Sequence, residues 1–518
     1  MRYEDMTRVD RRTLIASLGA AGLVLSSTTL RAQAQARAGT LVWARPSETT
    51  LYNPHNASQG SSWQLHHLIY DALVTLDEDL NVVPNVAESW EWQDDTLVFT
   101  LRPGVRFANG REMTLDDVVG SIEYTMQASS PWPLLLRNLR GVSARGGNQV
   151  AIEFDGPNAL ALVALSASIV AILPMEEMRD GSFDIESPMM MGTGPFQVES
   201  HVVNDRWVLT RNPHFWGDGP MVERMEVRNI PSAQGLVAAL ANGTTHIATF
   251  EANPDAPDLL ASVANVSYVT QQQTGYHFLA LNAVREGGLF TDLRVRQAVA
   301  LAIDRQQIID FVYGGATSPT HGFSHFGIDE GDLPLGTPDR DRARALLAEA
   351  GAAGSNVTLV YAVGDVNSAI AQILQLQMAE IGLNLRLESL ELGVWLSRTW
   401  GANPSDFEMT LAYYAGFGTP LFTAHWWAPE HAPFTRGHVA PDPVYSELLE
   451  QAMFGDGEVQ ATAFRALAAR MNETANKIPL CLRSETVAWR NDLVDMTPSQ
   501  LQSQENVMAG IENFALRG

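Results

Sequence analysis

Three histidines, His425, His431 and His438, fall at spacings of six and seven beside Trp426 and Trp427. Imidazole nitrogens suit nickel, copper or zinc. The spacing is loose and no acidic cluster accompanies it, so the same histidines also read as part of a surface loop. Arg436, inside this run, is the nearest side chain able to meet an anionic group. A second polar set, His321, Ser324 and His325, stands in a Gly-rich loop without the spacing of a nucleophile, a base and an orienting group. Neither HExxH nor GxSxG occurs. Gly192-Thr193-Gly194 and Gly416-Phe417-Gly418 both lack the third glycine of a dinucleotide fingerprint. Cys481 is the only cysteine, which excludes an intrachain disulfide, a Cys zinc cluster and a CxxC redox pair. Lys477 is the only lysine and is followed by Ile478 and Pro479, so there is no Walker A loop. Catalysis is the weaker reading of these residues, and binding the stronger.

The elements that position them belong to a long chain. At about 100–200 residues per domain, 518 residues suggest roughly three domains. With 46% hydrophobic and 18% charged residues the chain can bury a real core. Its net charge of −25 makes nucleic acid and acidic membrane surfaces poor partners.

Strand-like segments alternate with amphipathic helices, without repeats. Thr96–Leu101 alternates as a half-buried strand, and Pro103-Gly104 and Asn109-Gly110 are turn signals. Thr114 with Asp117 is a capping-box pattern opening a helix. Leu293–Tyr313 reads as one helix ended by Gly314-Gly315, and Thr337-Pro338 starts another that Gly351 closes. Residues 357–361, 369–381 and 384–388 read as strand, helix and strand, so the two strands are expected to be parallel with a right-handed crossover. A ligand in such a sheet sits beyond the carboxyl ends of the strands, which points to the loop 363–368. The architecture is α/β in at least two lobes.

Residues 1–36 read as an address. Arg11-Arg12 precede a mild apolar run from Leu14 to Leu25, and Ala32-Gln33-Ala34-Gln35-Ala36 offers an A-x-A cleavage site. The run is too short to cross about 30 Å of hydrocarbon. The paired arginines resemble a twin-arginine export signal, with the general secretory route as the alternative. Cleavage there leaves a mature chain outside the inner membrane.

The mature chain resembles the extracytoplasmic solute-binding proteins of peptide/nickel-type ABC importers, family 5. The runs that carry the resemblance are Val83–Trp90, Leu101–Phe107 with Asn109-Gly110, Thr114–Val118, Gly192–Phe196, Arg211–Trp216 and Arg294–Arg305. They come in family order along nearly the whole mature chain. The resemblance implies a bilobal periplasmic-binding-protein fold (type II, cluster C-like) with a third, inserted domain. Domain I is expected over 37–70, 190–272 and 490–518, domain II over 71–189 and domain III over 273–489. It implies a periplasmic monomer without a cofactor, whose lobes close on a small solute and then dock on a membrane permease driven by separate ATPase subunits. A periplasmic enzyme or a chemosensory receptor is the alternative from another class.

The resemblance also points to pocket residues. Family members that bind dipeptides hold the amine with an Asp in a Trp/Tyr-x-Gly-Asp run. Here the run is Tyr414-Ala415-Gly416-Phe417, with Phe417 in the place of the Asp. They hold the carboxylate with an arginine after a domain III strand, and the matching 364–367 loop has none. Burying a zwitterion without counter-charges costs several kcal/mol per ion, so a free dipeptide is disfavoured while longer peptides remain open. Phe417–Leu421 is similar to the Gly-x-Pro loop of the nickel-binding branch, which holds a metal chelate with the help of a later histidine. His425, His431 and His438 are the candidates for that role. Trp63 precedes a helix similar to the family's pocket-lining segment. With Phe417, Trp426 and Trp427 it would make an apolar, π-rich wall for a flat or apolar guest, and Tyr414, from the run that matches the dipeptide binders, is a further ligand-binding candidate. Core or lobe packing is the alternative for each tryptophan. Arg102 and Arg106 lie in a run that reads as structural.

Overall fold

The computed structural model describes residues 37–517 except 58, 78–80, 128–135, 137, 157, 159, 252, 324–330, 332, 402–403, 415–420, 431, 456 and 497–513. The expected export signal, Ser324, His325, Phe417 and His431 lie outside the described residues.

Ten strands form one mixed sheet. Its order is 384–390, 356–362, 409–414, 266–281, 477–490, 247–251, 37–45, 222–229, 206–211 and 196–202. The two central strands, Val266–Leu281 and Lys477–Arg490, are antiparallel and by far the longest. Between them they join the 409–414 strand on one side to the 247–251 strand on the other, and their register shifts between Gln272 and Tyr276. An irregularity of this kind bends a strand and raises its twist. Next to it, buried Gln273 donates to Glu485, and Gln272 donates to Ser318 at 2.8 Å.

A separate four-stranded antiparallel sheet, ordered 87–93, 96–101, 149–154 and 139–145, is built from the segment between Asp71 and Met189. The expected strand Thr96–Leu101 lies inside it, and its inner side chains Leu97, Phe99 and Leu101 are buried. The helix Leu115–Gln127 packs beside it and opens with the expected capping box. The Asp117 backbone N–H donates to Thr114 Oγ1 at 3.3 Å, and the Thr114 N–H donates to Asp117 Oδ2 at 2.8 Å.

Asp117 also takes both arms of the Arg111 guanidinium, each at 2.9 Å, and the Met175 N–H at 3.0 Å. Burial works against its charge, but the Arg111 fork and the Thr114 donors outweigh burial and hold the carboxyl below its ordinary range. Glu177, bonded to Arg111 at 2.7 Å, is lowered in the same way. A depressed carboxyl contributes stability above its unfolded pKa of about 4, and that stability is lost as pH falls through the folded value. Asp117→Asn is expected to lose about 2 kcal/mol at pH 7 and to flatten acid destabilisation below pH ~4. Urea unfolding at both pH values checks this; equal losses at both would assign the effect to packing.

The strand–helix–strand unit is present with the expected parallel pairing, as Asn356–Ala362, Asp365–Glu380 and Asn384–Leu390. Three expectations are corrected. The 363–368 stretch is a two-residue turn, Val363-Gly364, followed by the first helical turn, so it leaves no loop for a ligand. The long helix expected over 293–313 is two helices, Leu293–Ala302 and Arg305–Tyr313. Asp304 takes an extended conformation and caps the second through the Gln307 N–H at 3.1 Å, which breaks the ladder. The next helix begins at Arg340, two residues later than expected, because Asp339 accepts from the Arg342 N–H at 2.8 Å and so becomes the cap. Among the described residues no helix is long and apolar enough to cross a membrane.

Candidate functional site

One buried apolar cluster runs from the four-stranded sheet (Leu97, Phe99, Val150) to the C-terminal half of the ten-stranded sheet (Tyr276, Phe278, Tyr414). Trp63, Trp426 and Trp427 belong to it.

On the first side stands the helix Gly60–Ile69, which carries Trp63. Trp63 is buried, and its indole N–H donates to the Ala57 carbonyl at 3.2 Å. The helix is tied to the sheet by Arg45, whose buried guanidinium donates to the Ser61 carbonyl, to Thr49 Oγ1 and to Gln64 Oε1. Burial pulls Arg45 down to about 10 against the pull of Glu251, Glu48 and Glu485. On the same helix, burial pushes His66 down to about 3, so it is neutral at physiological pH.

On the second side, the strand Met409–Tyr414 brings Tyr414 opposite Tyr276. Tyr276 and Phe278 are on the same face of their strand because side chains alternate with a period of two. The Tyr414 ring lies 4.3 Å from Phe278 and edge-on to Tyr276 at 5.8 Å, with Trp426 edge-on to it at 4.4 Å. Trp427 approaches Phe278 at 6.3 Å and Phe323 at 6.0 Å. Aromatic pairs prefer such offset and perpendicular contacts. Tyr445 pins this wall from the next helix by donating to the Ala424 carbonyl at 2.7 Å.

At the base of these rings is Lys477, the first residue of its central strand. Its ammonium nitrogen is 4.3 Å from the centre of the Trp427 ring, 5.0 Å from Tyr414 and 5.4 Å from Phe278. It also donates to the Tyr414 hydroxyl. Lys477 is 1% exposed, and burial pulls its amine well below the ordinary lysine range.

The structure therefore brings Tyr414, Trp426 and Trp427 into one wall, with Trp63 in the same apolar cluster. It separates the remaining candidates by environment. His425 is buried edge-on to Trp426 at 5.8 Å, with its Nδ1 3.3 Å from the Leu421 carbonyl. His438 is fully buried between Trp400 and Phe407, and its Nδ1 meets Ser405 Oγ at 3.4 Å. Burial and the nearby Lys477 drive His438 well below the ordinary histidine range. Neither histidine is on a surface loop. Arg436 is exposed and donates to the Pro429 carbonyl at 2.9 Å. Among the described residues no group of three or more His, Cys, Asp or Glu is placed to hold a metal ion. Burial pushes His321 down to about 4 beside Arg305, which leaves it a poor proton shuttle.

Sequence reasoning missed Lys477, Tyr276 and Phe278 as parts of this wall. The alternation Tyr276, Phe278, Ala280 was a usable signal. Lys477 carried one as well, since the lone lysine of the chain sits in an apolar strand.

The model of the bacterial extracellular solute-binding proteins, family 5 Middle, matches residues 81–431. The oligopeptide-binding protein AppA of Bacillus subtilis (strain 168) is 27% identical over 405 residues, covering 71% of this chain and 72% of that protein. The nickel-binding periplasmic protein of Escherichia coli (strain K12) is 24% identical over 528 residues, covering 93% and 95%. Among solved structures, the periplasmic binding protein DppA of Helicobacter pylori in complex with the peptide STSA superposes with a TM-score of 0.81 at 21% identity. That match covers 95% of this chain and all of the other.

Proposed function

The chain belongs to family 5 of the bacterial extracellular solute-binding proteins, and from that premise we propose that it captures an organic solute of peptide-like size between two lobes and delivers it unaltered to an ABC permease. The observation that carries this reading is the single buried cluster joining the four-stranded sheet, Trp63 and the Tyr414–Trp426–Trp427 wall. Two lobes that share an aromatic interface of this kind can exchange it for a guest. A guest shifts the open–closed equilibrium only by its preference for the closed state. The two long central strands, with their register shift near Gln272, are the proposed hinge. Domains divided at 70, 189, 272 and 489 belong to this reading, and the division at 272 falls at the register shift of the two central strands. Export on a twin-arginine signal and action in the periplasm as a monomer complete it.

The aromatic wall supports a guest with a flat or apolar part. A metal chelate, the cargo suggested by the nickel-binding relative, has His425 as its nearest imidazole. Native mass spectrometry of the purified protein decides between them. The expected result is an adduct of a few hundred daltons, of organic composition, that survives treatment with EDTA and is recovered chemically intact. An adduct lost to EDTA would replace this reading with the chelate. A guest recovered as a reaction product would replace it with catalysis.

A further inference from the structure

Lys477 is a buried amine to which the described residues offer no counter-charge. Its sole side-chain hydrogen bond among the described residues goes to the Tyr414 hydroxyl oxygen, so in its protonated form two of its three hydrogens would have ring faces around them. The titratable groups that face this region are Tyr414 and Tyr276 from the sheet, Tyr445 from its helix, and His438. Burial raises Tyr414 and Tyr445 well above the ordinary phenol range and drives His438 well below the ordinary histidine range. None of these brings a negative charge. Two more polar atoms in the same region are buried without a partner among the described residues, the indole nitrogen of Trp427 and Nε2 of His438.

A buried charge without a counter-ion is ordinarily replaced by an apolar residue, and cores gain by that replacement. Packing alone would therefore be served better by methionine or leucine at this position. An arginine would not suit this place either, because five fixed donors would need partners among ring faces. A compact ammonium on a flexible stem suits a place where one acceptor arrives from outside. The geometry of Tyr414 points the same way. Its oxygen accepts from Lys477, so its own O–H hydrogen is directed elsewhere and is polarised by the ammonium. Lys477 and the Tyr414 hydroxyl thus present adjoining donors at the base of an apolar aromatic wall, and the buried Trp427 indole N–H is a third donor in the same region.

We propose that Lys477, supported by the Tyr414 hydroxyl and the Trp427 indole N–H, anchors a carboxylate carried by a flat, apolar guest. This rests on the solute-binding reading above and narrows it. The guest needs one anionic end and no cationic one, since among the described residues of the wall there is no carboxylate to meet an amine. When the carboxylate enters, the lysine gains a counter-charge, its charged form is favoured and a proton is taken up from solvent.

Because Lys477 is the only lysine, protein grown on labelled lysine gives one ε-methylene resonance, and its titration reads this amine alone. Benzoate and its neutral isostere benzamide are the probes, each added to the full-length protein at tens of millimolar. Benzoate is expected to move the titration midpoint upward by about one pH unit, and benzamide to leave it in place. Lys477→Met is expected to fold with an equal or higher melting temperature and to lose at least tenfold in benzoate affinity, read from tryptophan fluorescence. A resonance indifferent to benzoate, or moved equally by benzamide, overturns the anchor. So does a Lys477→Met protein that binds benzoate as the native protein does. If the variant fails to fold, the labelled native protein still decides. A saturable fluorescence response to benzoate with an unmoved lysine overturns the anchor and leaves the clamp standing, whereas the clamp itself falls only on the native mass spectrum.

Discussion

Gly192→Ala is expected to destabilise the protein by about 3 kcal/mol, because the added methyl group meets backbone that has nowhere to go. A Cβ built at Gly192 would lie 2.1 Å from the Ile69 carbonyl oxygen and 2.7 Å from the Tyr70 ring. At Gly194 it would lie 2.7 Å from the Ile69 carbonyl carbon. These two glycines let the outgoing chain at Ile69–Asp71 and the returning chain at Gly192–Gly194 run in contact. The Gly194 N–H donates to the Ile69 carbonyl at 2.9 Å, and Thr193 Oγ1 donates to Asp71 Oδ2 at 2.9 Å. Asp71 also accepts from Trp216 Nε1 at 3.0 Å, and Arg102 stacks over Trp216 at 4.8 Å. A methyl group at 192 would push this whole crossing apart and displace the end of the helix that carries Trp63. Gly393→Ala is the control. It lies in the helix Leu392–Thr399 with nothing within 4 Å of its Cβ position, so alanine there is expected to be neutral or slightly stabilising. Urea midpoints of the two variants check the contrast. Equal midpoints would mean that the crossing yields without cost.

The same crossing illustrates what could be read in advance. The run Gly192–Phe196 was recognisable as a family signature, but its physical cause, a close approach to Ile69, joins residues too far apart in sequence to be inferred from either one. The strand–helix–strand unit at 356–390 was legible because pairing, crossover and burial pattern are all local to it. The ten-stranded sheet was not, because Arg37–Arg45 pairs with Val222–Asn229 and Val266–Leu281 pairs with Lys477–Arg490. Helix interiors were legible from periodicity while their ends were not. Asp304 and Asp339 each act as a cap, and a cap outcompetes the propensity of the residues before it. At the site, aromatic composition drew attention to Tyr414, Trp426 and Trp427. Lys477 was passed over since the missing P-loop accounted for what it lacked and said nothing of where it lay. A charge in an apolar strand is a conflict between local pattern and burial, and such conflicts collect at functional positions.

Trp63 carries the second large effect, and its two roles separate by measurement. Its side chain is 3% exposed and belongs to the cluster that joins the lobes. Trp63→Ala is expected to lose about 3–5 kcal/mol if the whole of that burial persists in the guest-free protein. If the guest-free protein is open, part of the ring faces solvent there, and the loss in unfolding free energy falls below that range while the closed state bears the remainder. The guest's affinity then drops by at least about tenfold, since each 1.4 kcal/mol taken from the closed form is a factor of ten. Trp63→Phe keeps a ring in the wall but loses the bond to the Ala57 carbonyl and part of the indole's packing, a change of about 1–2 kcal/mol. It is expected to fold almost normally and to bind with an intermediate affinity. The decisive comparison is calorimetric binding of the co-purified guest against urea unfolding of the guest-free protein. An affinity loss for Trp63→Ala together with a reduced unfolding loss identifies a residue on the moving interface. Full destabilisation with unchanged affinity would confine Trp63 to the core of one lobe, and the aromatic wall facing the guest would then consist of Tyr414, Trp426 and Trp427 alone.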